Sequence, residues 1–318
     1  MGMEIPQELL DAVEDGAAVC IVSAVRTGGG DINEAAILDT DGGHRLFLKW
    51  NRSPPDGMFE AEEDGLAALG AAAGADLVVP EVIARGTAGH DGGRDESAWL
   101  LMEHVGPGAQ SGSRDGTVDR PPEGDAGWAV RLGRGLAEVH RTGSTEFGWH
   151  RDNFIGRLPQ MNEPDDDWGA FWRDRRMAPQ LRSAVDAGLV GGAARTDLDH
   201  LVERMDEALA GAATEGPSLL HGDLWNGNAM SVGDGRAAIY DPAVYHGHRE
   251  VDLAMTELFG FPSDFMPAYR EAWPVDELYD VRRRDLYQLY YLLVHVNLFG
   301  RSYVAGSVTA ARRVLATL

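Results

Sequence analysis

The sequence predicts an α+β protein of two lobes, a small antiparallel β-sheet lobe carrying one helix and a larger, mainly helical lobe. Three observations predict it. Short apolar strands separated by Gly- and Asp-rich turns dominate up to Val105. Helical periodicity takes over after residue 127. Between them, residues 106–127 are Gly, Pro, Ser and Asp with almost no apolar anchor, the composition of a linker or surface insertion. The expected division is therefore 1–105 for the first lobe and its hinge, 106–127 for the connection, and 128–318 for the second lobe.

Residues 7–15 read as a helix. Strands are expected at Ala18–Val25, Glu34–Leu38 and Arg45–Trp50, joined by the turn Thr27-Gly28-Gly29-Gly30-Asp31 and the hairpin turn Asp41-Gly42-Gly43. Met58 to Ala73 is rich in Ala and Glu, with Leu66 and Leu69 three apart, which favours a helix. Two further strands, Glu81–Gly86 and Trp99–Val105, flank a polar loop at 89–96. In the second half, Leu132, Leu136 and Val139 recur at helical spacing. Leu198, Leu201, Val202, Met205 and Leu209 form a stripe behind a Thr196-Asp197 start signal. Tyr287 to Phe299 is apolar nearly all round, as a buried helix would be. Short strands at Ser218–His221 and Ala237–Tyr240 bracket the polar loop from Asp223 to Asn228.

The chain has 318 residues and a net charge of −23, from 51 acidic against 28 basic side chains. That balance argues against nucleic acid as a partner, because phosphate binding needs basic patches. Two explanations of the acidity stand side by side. A high-GC genome swaps Lys for Arg, and a salt-rich cytoplasm favours a carboxylate-covered surface whose self-repulsion is screened. The longest apolar run, Leu289 to Val296, is too short to span a bilayer, so no membrane partner is expected. No charged-then-apolar leader opens the sequence, and a cytoplasmic location is expected. The single cysteine, Cys20, excludes an internal disulfide and any Cys-based metal site; its apolar neighbours suggest a buried small side chain.

Of the 28 cationic side chains, one is lysine: Lys49, in the apolar run Leu46-Phe47-Leu48-Lys49-Trp50. Arginine is a planar fork, whereas lysine is a compact point charge. A strand lysine downstream of a Gly-rich turn is where phosphoryl-transfer enzymes grip nucleotide phosphates. The strongest local signal is His221-Gly222-Asp223-Leu224-Trp225-Asn226-Gly227-Asn228, followed by Tyr240-Asp241-Pro242. Phosphoryl transfer needs one carboxylate to orient an acceptor hydroxyl, and oxygen ligands that hold Mg²⁺ across the phosphates. Asp223 and Asn228 supply both from one loop, and Asp241 completes the metal set. Turn propensity explains any one of these residues but not their joint spacing. Gly28-Gly29-Gly30 offers backbone amides, although a glycine triplet alone is more often a flexible turn. No GxxxxGK[ST] is present, so a Walker-type loop is excluded. Glu62 is the expected partner of Lys49, with Glu60 and Glu63 as competitors.

With these residues in place, the chain resembles the fructosamine kinase (ketosamine-3-kinase) family, relatives of aminoglycoside and choline kinases within the protein-kinase-like fold. The most telling stretches are Gly148-Trp149-His150-Arg151-Asp152-Asn153-Phe154-Ile155-Gly156, Pro159-Gln160-Met161-Asn162, Asp167-Trp168, Leu224-Trp225 and Tyr245 to Met255. The resemblance implies an ATP- and Mg²⁺-dependent kinase that phosphorylates the O3 hydroxyl of a ketosamine, free or protein-bound, in deglycation repair. It implies Asp223 as catalytic base and Asn228 and Asp241 as metal ligands. It also implies Lys49, paired with Glu62, on the α/β-phosphates, and Gly28, Gly29, Gly30, Asp31 and Ile32 as the phosphate loop. Met102, Glu103, His104 and Val105 would be the hinge that holds adenine. Many family members carry a cysteine where this chain has Asp31, so redox control through that loop is not expected. Trp149, Asp152, Asn153 and Trp225 are candidates for the acceptor pocket, with loop packing as the competing reading. His246 and His248 could suggest a metal pair, but a structural role is favoured because no third ligand is nearby. Arg249 and Asp252 are expected to brace the catalytic loop by a mutual ion pair. A kinase for another small hydroxylated amine, or a non-catalytic nucleotide-binding regulator, are the alternatives.

Overall fold

The computed structural model describes residues 4–28, 32–89, 97–106, 127–233 and 235–318. The chain opens with α1 (Gln7–Ala17), closed by Ala18 in the left-handed conformation at φ 53°. There follow β1 (Ile21–Thr27), β2 (Glu34–Thr40), β3 (Arg45–Asn51) and α2 (Met58–Ala72). After β4 (Leu77–Val78) come β5 (Val82–Ala88) and β6 (Ser97–Glu103). Five of these strands form one antiparallel sheet in the order β1-β2-β3-β6-β5.

Strand alternation decides what each face of that sheet buries. Leu46, Leu48 and Trp50 of β3 pack with Trp99 and Leu101 of β6 against Leu9 and Val13 of α1. On the opposite face, Phe47 packs with Leu100 and Met102 under Phe59 and Leu66 of α2. Lys49 shares the parity of Phe47, so it emerges on the α2 face. The sheet thus lies between two helices, the opening helix included.

The second lobe begins with α3 (Gly127–His140), then β7 (Asn153–Ile155), β8 (Leu158–Gln160), α4 (Trp168–Phe171), a π-helical turn at Trp172–Met177, and α5 (Ala178–Asp186). Next are α6 (Gly192–Glu203) and α7 (Met205–Ala208), then β9 (Ser218–Leu220), β10 (Ala229–Ser231), β11 (Ala237–Ile239) and β12 (Tyr245–Gly247). The chain closes with α8 (Glu250–Leu258), α9 (Phe265–Ala272), α10 (Arg284–Phe299) and α11 (Val304–Leu315). Leu132, Leu136 and Val139 are buried in the core of this lobe, as are Tyr287, Tyr290 and Tyr291 of α10.

Two sequence expectations change, and one strand pairing appears that the sequence did not suggest. The 198–209 stripe does not start at Thr196: α6 begins at Gly192 and ends at Glu203, and Met205 and Leu209 are buried from a separate turn. Cys20 is exposed, not buried, because it lies in the connection before β1 and contributes its carbonyl to Asp41 N. The chain between α2 and β5 dips out of the first lobe, where β4 pairs in parallel with β11, Leu77 opposite Ala237. A two-residue strand carries no period that a sequence could reveal. The expected connection at 106–127 falls largely on residues outside those described, as do Gly29 to Asp31 of the Gly-rich turn and most of the loop at 89–96. Among the described residues no helix is long and apolar enough to cross a membrane.

Candidate active site

β9 delivers the chain into the loop at His221, and the hairpin β10–β11 returns it to Asp241. Ala229 pairs with Ile239, and Tyr240 N donates to Asn228 O (3.1 Å), so Asn228 and Asp241 face each other across the mouth of the hairpin. Asp252 of α8 pins the loop from below. It accepts from His221 N through Oδ2 (2.7 Å) and from Gly222 N through Oδ1 (2.8 Å). Its Oδ2 also meets His140 Nε2 at 3.1 Å. Asp252 is fully buried, and its charge is compensated by these donors, not by Arg249. Arg249 instead holds Glu215 (2.6 Å) and the Pro274 carbonyl (2.7 Å), which corrects the expected mutual ion pair.

Gly222 has φ +81°, and a Cβ on it would lie 2.1 Å from the Ala243 carbonyl oxygen. Only glycine lets the loop approach that strand so closely. His221 Nε2–H donates to Tyr240 O (3.0 Å), and Asp223 N donates to His221 Nδ1 (3.2 Å), which fixes the imidazole as the Nε2–H tautomer. Burial holds its pKa down, so the ring stays neutral.

Lys49 enters from the other lobe. Its Nζ lies 2.8 and 3.0 Å from the two Glu62 oxygens and 2.8 Å from Asp241 Oδ1. Burial opposes its charge, but the Asp241 and Glu62 carboxylates outweigh burial and keep it protonated. Burial pushes the Glu62 carboxyl up, and the ammonium opposes that push. The competing acids are both committed elsewhere: Glu60 and Glu63 each pair with Arg85, at 2.7 and 2.5 Å. Asp223 is pushed up to about 7, first by burial and then by the like charges of Asp241 and Asp252. Asn228 Nδ2 donates to the Asp223 carbonyl (2.8 Å), which commits its amide nitrogen and leaves an oxygen as its other polar atom.

These groups line one cavity of about 550 Å³ between the lobes, with Lys49, Glu62, Asp223, Asn228 and Asp241 on its walls. Of the expected phosphate loop, Ile32 lines the cavity, whereas Gly28 is exposed and Gly29, Gly30 and Asp31 lie outside the described residues. Met102, Glu103, His104 and Val105 do not line it. Lys49 pairs with Leu100 and Leu46 with Glu103, so this segment begins two or three residues along the sheet, a span of roughly 10 Å from the lysine.

The acceptor candidates separate into two groups. Trp225, at 39% exposure, and Asn153 line the cavity. Asn153 is nevertheless spent on structure: Nδ2 donates to Val244 O (2.7 Å), and Oδ1 accepts from Gln160 (2.9 Å) and Asn162 (2.9 Å). Trp149 and Asp152 do not line the cavity. Trp149 Nε1 donates to Asp64 Oδ2 (2.6 Å), and Asp152 Oδ1 caps Asn162 N (2.7 Å). His246 packs against Trp149 with ring centroids 5.1 Å apart, while His248 bonds to Tyr287 OH at 2.7 Å, so the two histidines serve different neighbours. The sequence missed the aromatic wall: Phe259, His295, Phe299 and Tyr303 line the cavity, with Phe259 and His295 at 4.6 Å and His295 and Tyr303 at 5.0 Å. His295 and Phe299 close α10 and Tyr303 ends the 3-10 turn that follows, a spacing of four that core packing also produces.

Among solved structures, an amicoumacin kinase crystallised with AMP-PNP and Ca²⁺ shares the fold at a TM-score of 0.56 and 11% identity, covering 98% of this chain and 94% of that one. A choline kinase from Streptococcus pneumoniae does so at 0.53 and 14%, covering 98% of each chain. At that identity the likeness concerns the fold, which is the protein-kinase-like one, two-lobed with its cleft between sheet and helices. The class, ATP-dependent phosphotransferases with a hydroxyl acceptor, follows from the family and the curated relatives and not from that likeness. More specifically, the chain belongs to the fructosamine kinase family, whose family model matches residues 3–317. It is 34% identical to the "Probable ketoamine kinase" of Enterococcus faecium over 95% of this chain and 96% of that protein. It is 35% identical to the chloroplastic protein-ribulosamine 3-kinase of Arabidopsis thaliana, over 93% and 83%. A solved structure from Thermobifida fusca, assigned as a fructosamine-3-kinase, superposes at a TM-score of 0.80 with 33% identity, over 96% and 98% of the two chains.

Proposed function

We propose that this protein transfers the γ-phosphoryl group of ATP to the O3 hydroxyl of a ketosamine, and that Asp223, Lys49, Asn228 and Asp241 carry the reaction. The observation that carries this reading is the Lys49 ammonium held between Glu62 and Asp241 on the wall of a cavity that also contains Asp223. A point charge fixed by two carboxylates is preorganised for nucleotide phosphates, and it needs no rearrangement when they arrive. Asp223, with its carboxyl pushed up to about 7, is matched to accept a proton near neutrality. In the proposed step the O3 oxygen bonds to the γ-phosphorus, the β–γ bridge bond breaks, and the O3 proton passes to Asp223. ADP leaves.

The donor set fits Mg²⁺. Asn228 and Asp241 present oxygen, the ligand type a hard cation takes, on the cavity wall. Among the described residues no three His, Cys, Asp or Glu side chains form a ready cage. Mg²⁺ bound mainly through substrate phosphates and water requires only one or two protein ligands. When bound, the ion neutralises phosphate charge. In this reading the hinge at Met102–Val105 holds adenine, at a distance along the sheet that suits a nucleotide reaching back to Lys49. Of the expected phosphate loop, Ile32 on the cavity wall would lie against the phosphates. Trp225 supplies an indole face to the sugar, backed by Phe259 at 6.5 Å. Substrates of this kind place the enzyme in deglycation, since a ketosamine 3-phosphate breaks down and releases the amine.

The test is ADP release across a panel of ribulosamine, erythrulosamine and fructosamine adducts of lysine, a glycated protein, choline and an aminoglycoside. Turnover confined to the ketosamines is expected. Turnover of choline or the aminoglycoside alone would overturn the substrate assignment and leave the phosphotransferase standing.

A further inference from the structure

α2 carries Glu62, so whatever fixes α2 also fixes the partner of Lys49. Successive residues of an α-helix turn by about 100°, so Asp64 projects from the flank of α2 nearly opposite Glu62. There it meets the second lobe. Trp149 Nε1 donates to Asp64 Oδ2 at 2.6 Å, and His150 Nε2 lies 3.3 Å from the same oxygen. Arg151 packs beside Gly57 at the start of the helix. One turn of α2 also presses on the segment that follows Asp241: a Cβ on Gly65 would lie 3.2 Å from Pro242 and 3.1 Å from Val244.

The tryptophan is itself rigid. Gly148 N donates to His246 O and His246 N to Gly148 O, both at 2.8 Å, and Trp149 N donates to Asn162 O at 2.9 Å. Its ring packs at a tilt against His246, centroids 5.1 Å apart, and against His150 at 4.9 Å. His246 sits on β12, five residues past Asp241. The links therefore close a ring. Asp241 runs along the chain to His246, His246 holds Trp149, and Trp149 holds Asp64. Asp64 shares α2 with Glu62, Glu62 holds Lys49, and Lys49 returns to Asp241.

We propose that Trp149 and Asp64 form an inter-lobe latch that sets the position of α2, and through Glu62 the position of Lys49, for nucleotide binding. Trp149 is then a positioning residue and not part of the acceptor pocket. The charge-assisted indole–carboxylate bond supplies the fixed distance, and the histidine packed against the ring supplies the fixed direction. The inference rests on the proposed nucleotide role of Lys49 and on no statement about the acceptor.

The test is calorimetric AMP-PNP binding with Mg²⁺ and without ketosamine, well below the melting points of Trp149→Phe, Asp64→Ala, Asp64→Asn and the Trp149→Phe/Asp64→Ala double variant. Trp149→Phe keeps an aromatic ring beside His246 and removes the donor together with the pyrrole half of the indole. Each of Trp149→Phe and Asp64→Ala is expected to weaken AMP-PNP binding on the order of tenfold, with the double variant no weaker than either single one. Asp64→Asn retains an acceptor oxygen and is expected to keep most of the affinity. Unchanged AMP-PNP affinity in folded Trp149→Phe, with a raised KM for ketosamine, would overturn the latch and return Trp149 to the acceptor pocket. Losses that multiply in the double variant would also overturn it, because the two residues would then act separately. An unmodified protein that does not bind AMP-PNP would instead refute the nucleotide site.

Discussion

The Lys49 ammonium stands 2.8 Å from Oδ1 of Asp241, a residue 192 positions further along the chain. That contact joins the lobes on the wall of the cavity, where the proposed reaction puts the nucleotide phosphates. It also explains the choice of side chain. A compact ammonium fits between two carboxylates, whereas a guanidinium would reach past them. Lys49→Arg is expected to lower kcat/KM for ATP on the order of 10²-fold although the charge is kept. Steady-state kinetics with varied ATP would check this, and unchanged kinetics would make the lone lysine incidental.

Asp223 is argued to accept the acceptor proton, and Asp223→Asn keeps its size while removing that capacity. Turnover is expected to fall by roughly 10²–10⁴-fold with nucleotide affinity little changed. Parallel ADP-release and AMP-PNP binding measurements separate the two effects.

Asp252 offers one carboxylate to the backbone N–H groups of His221 and Gly222 and to His140. Asp252→Ala strands those buried donors, at a cost of about 3 kcal/mol in stability. The loop that carries Asp223 loses its anchor at the same time. Urea unfolding should show the stability loss, and kcat should fall more than KM rises.

His248 is buried, and its pKa is held well below the ordinary value, first by burial and then by the Arg283 and Arg249 charges. Glu215 and Glu250 approach it at 3.9 and 3.8 Å without reversing that direction. A depressed histidine pKa means that the unfolded chain binds the proton more readily than the folded one. Its contribution to stability is therefore present above the unfolded pKa of about 6.5, and it is lost as pH falls below that value. His248→Gln should show a smaller stability loss than the unmodified protein between pH 7.5 and 5.5, by up to ~1.4 kcal/mol per pH unit. Urea midpoints measured at several pH values would decide it.

The first-lobe strands and α2 are legible because alternation and helical spacing are local properties, whereas the sheet face that carries Lys49 emerges from the packing of α1 and α2. Asp223, Asn228 and Asp241 were legible because one loop and one hairpin bring them together. Glu62 could be separated from Glu60 and Glu63 only by the packed side of α2. The structure adds that Arg85 occupies the other two acids. The contacts that the sequence does not show are those whose partners lie far along the chain. Trp149 read as a sugar platform because an indole suits a sugar, yet its donor is spent on Asp64, 85 residues earlier. Arg249 and Asp252 are neighbours in sequence on one helix turn, but buried donors from two other segments claim Asp252 first. Asn153, Gln160 and Asn162 read as family marks and prove to be a buried polar network, extended by Arg176 Nη2 to Asn162 Oδ1 at 2.7 Å. No local pattern distinguishes such a brace from a binding site.

The central claim is phosphoryl transfer to O3 of a ketosamine, and the most direct measurement is ³¹P NMR of the product formed from ATP, Mg²⁺ and a lysine ribulosamine or fructosamine. The account predicts a new phosphate monoester coupled to the proton on C3, which decays with release of free lysine. A monoester at another carbon, or ATP hydrolysis to inorganic phosphate with the ketosamine unchanged, would contradict it.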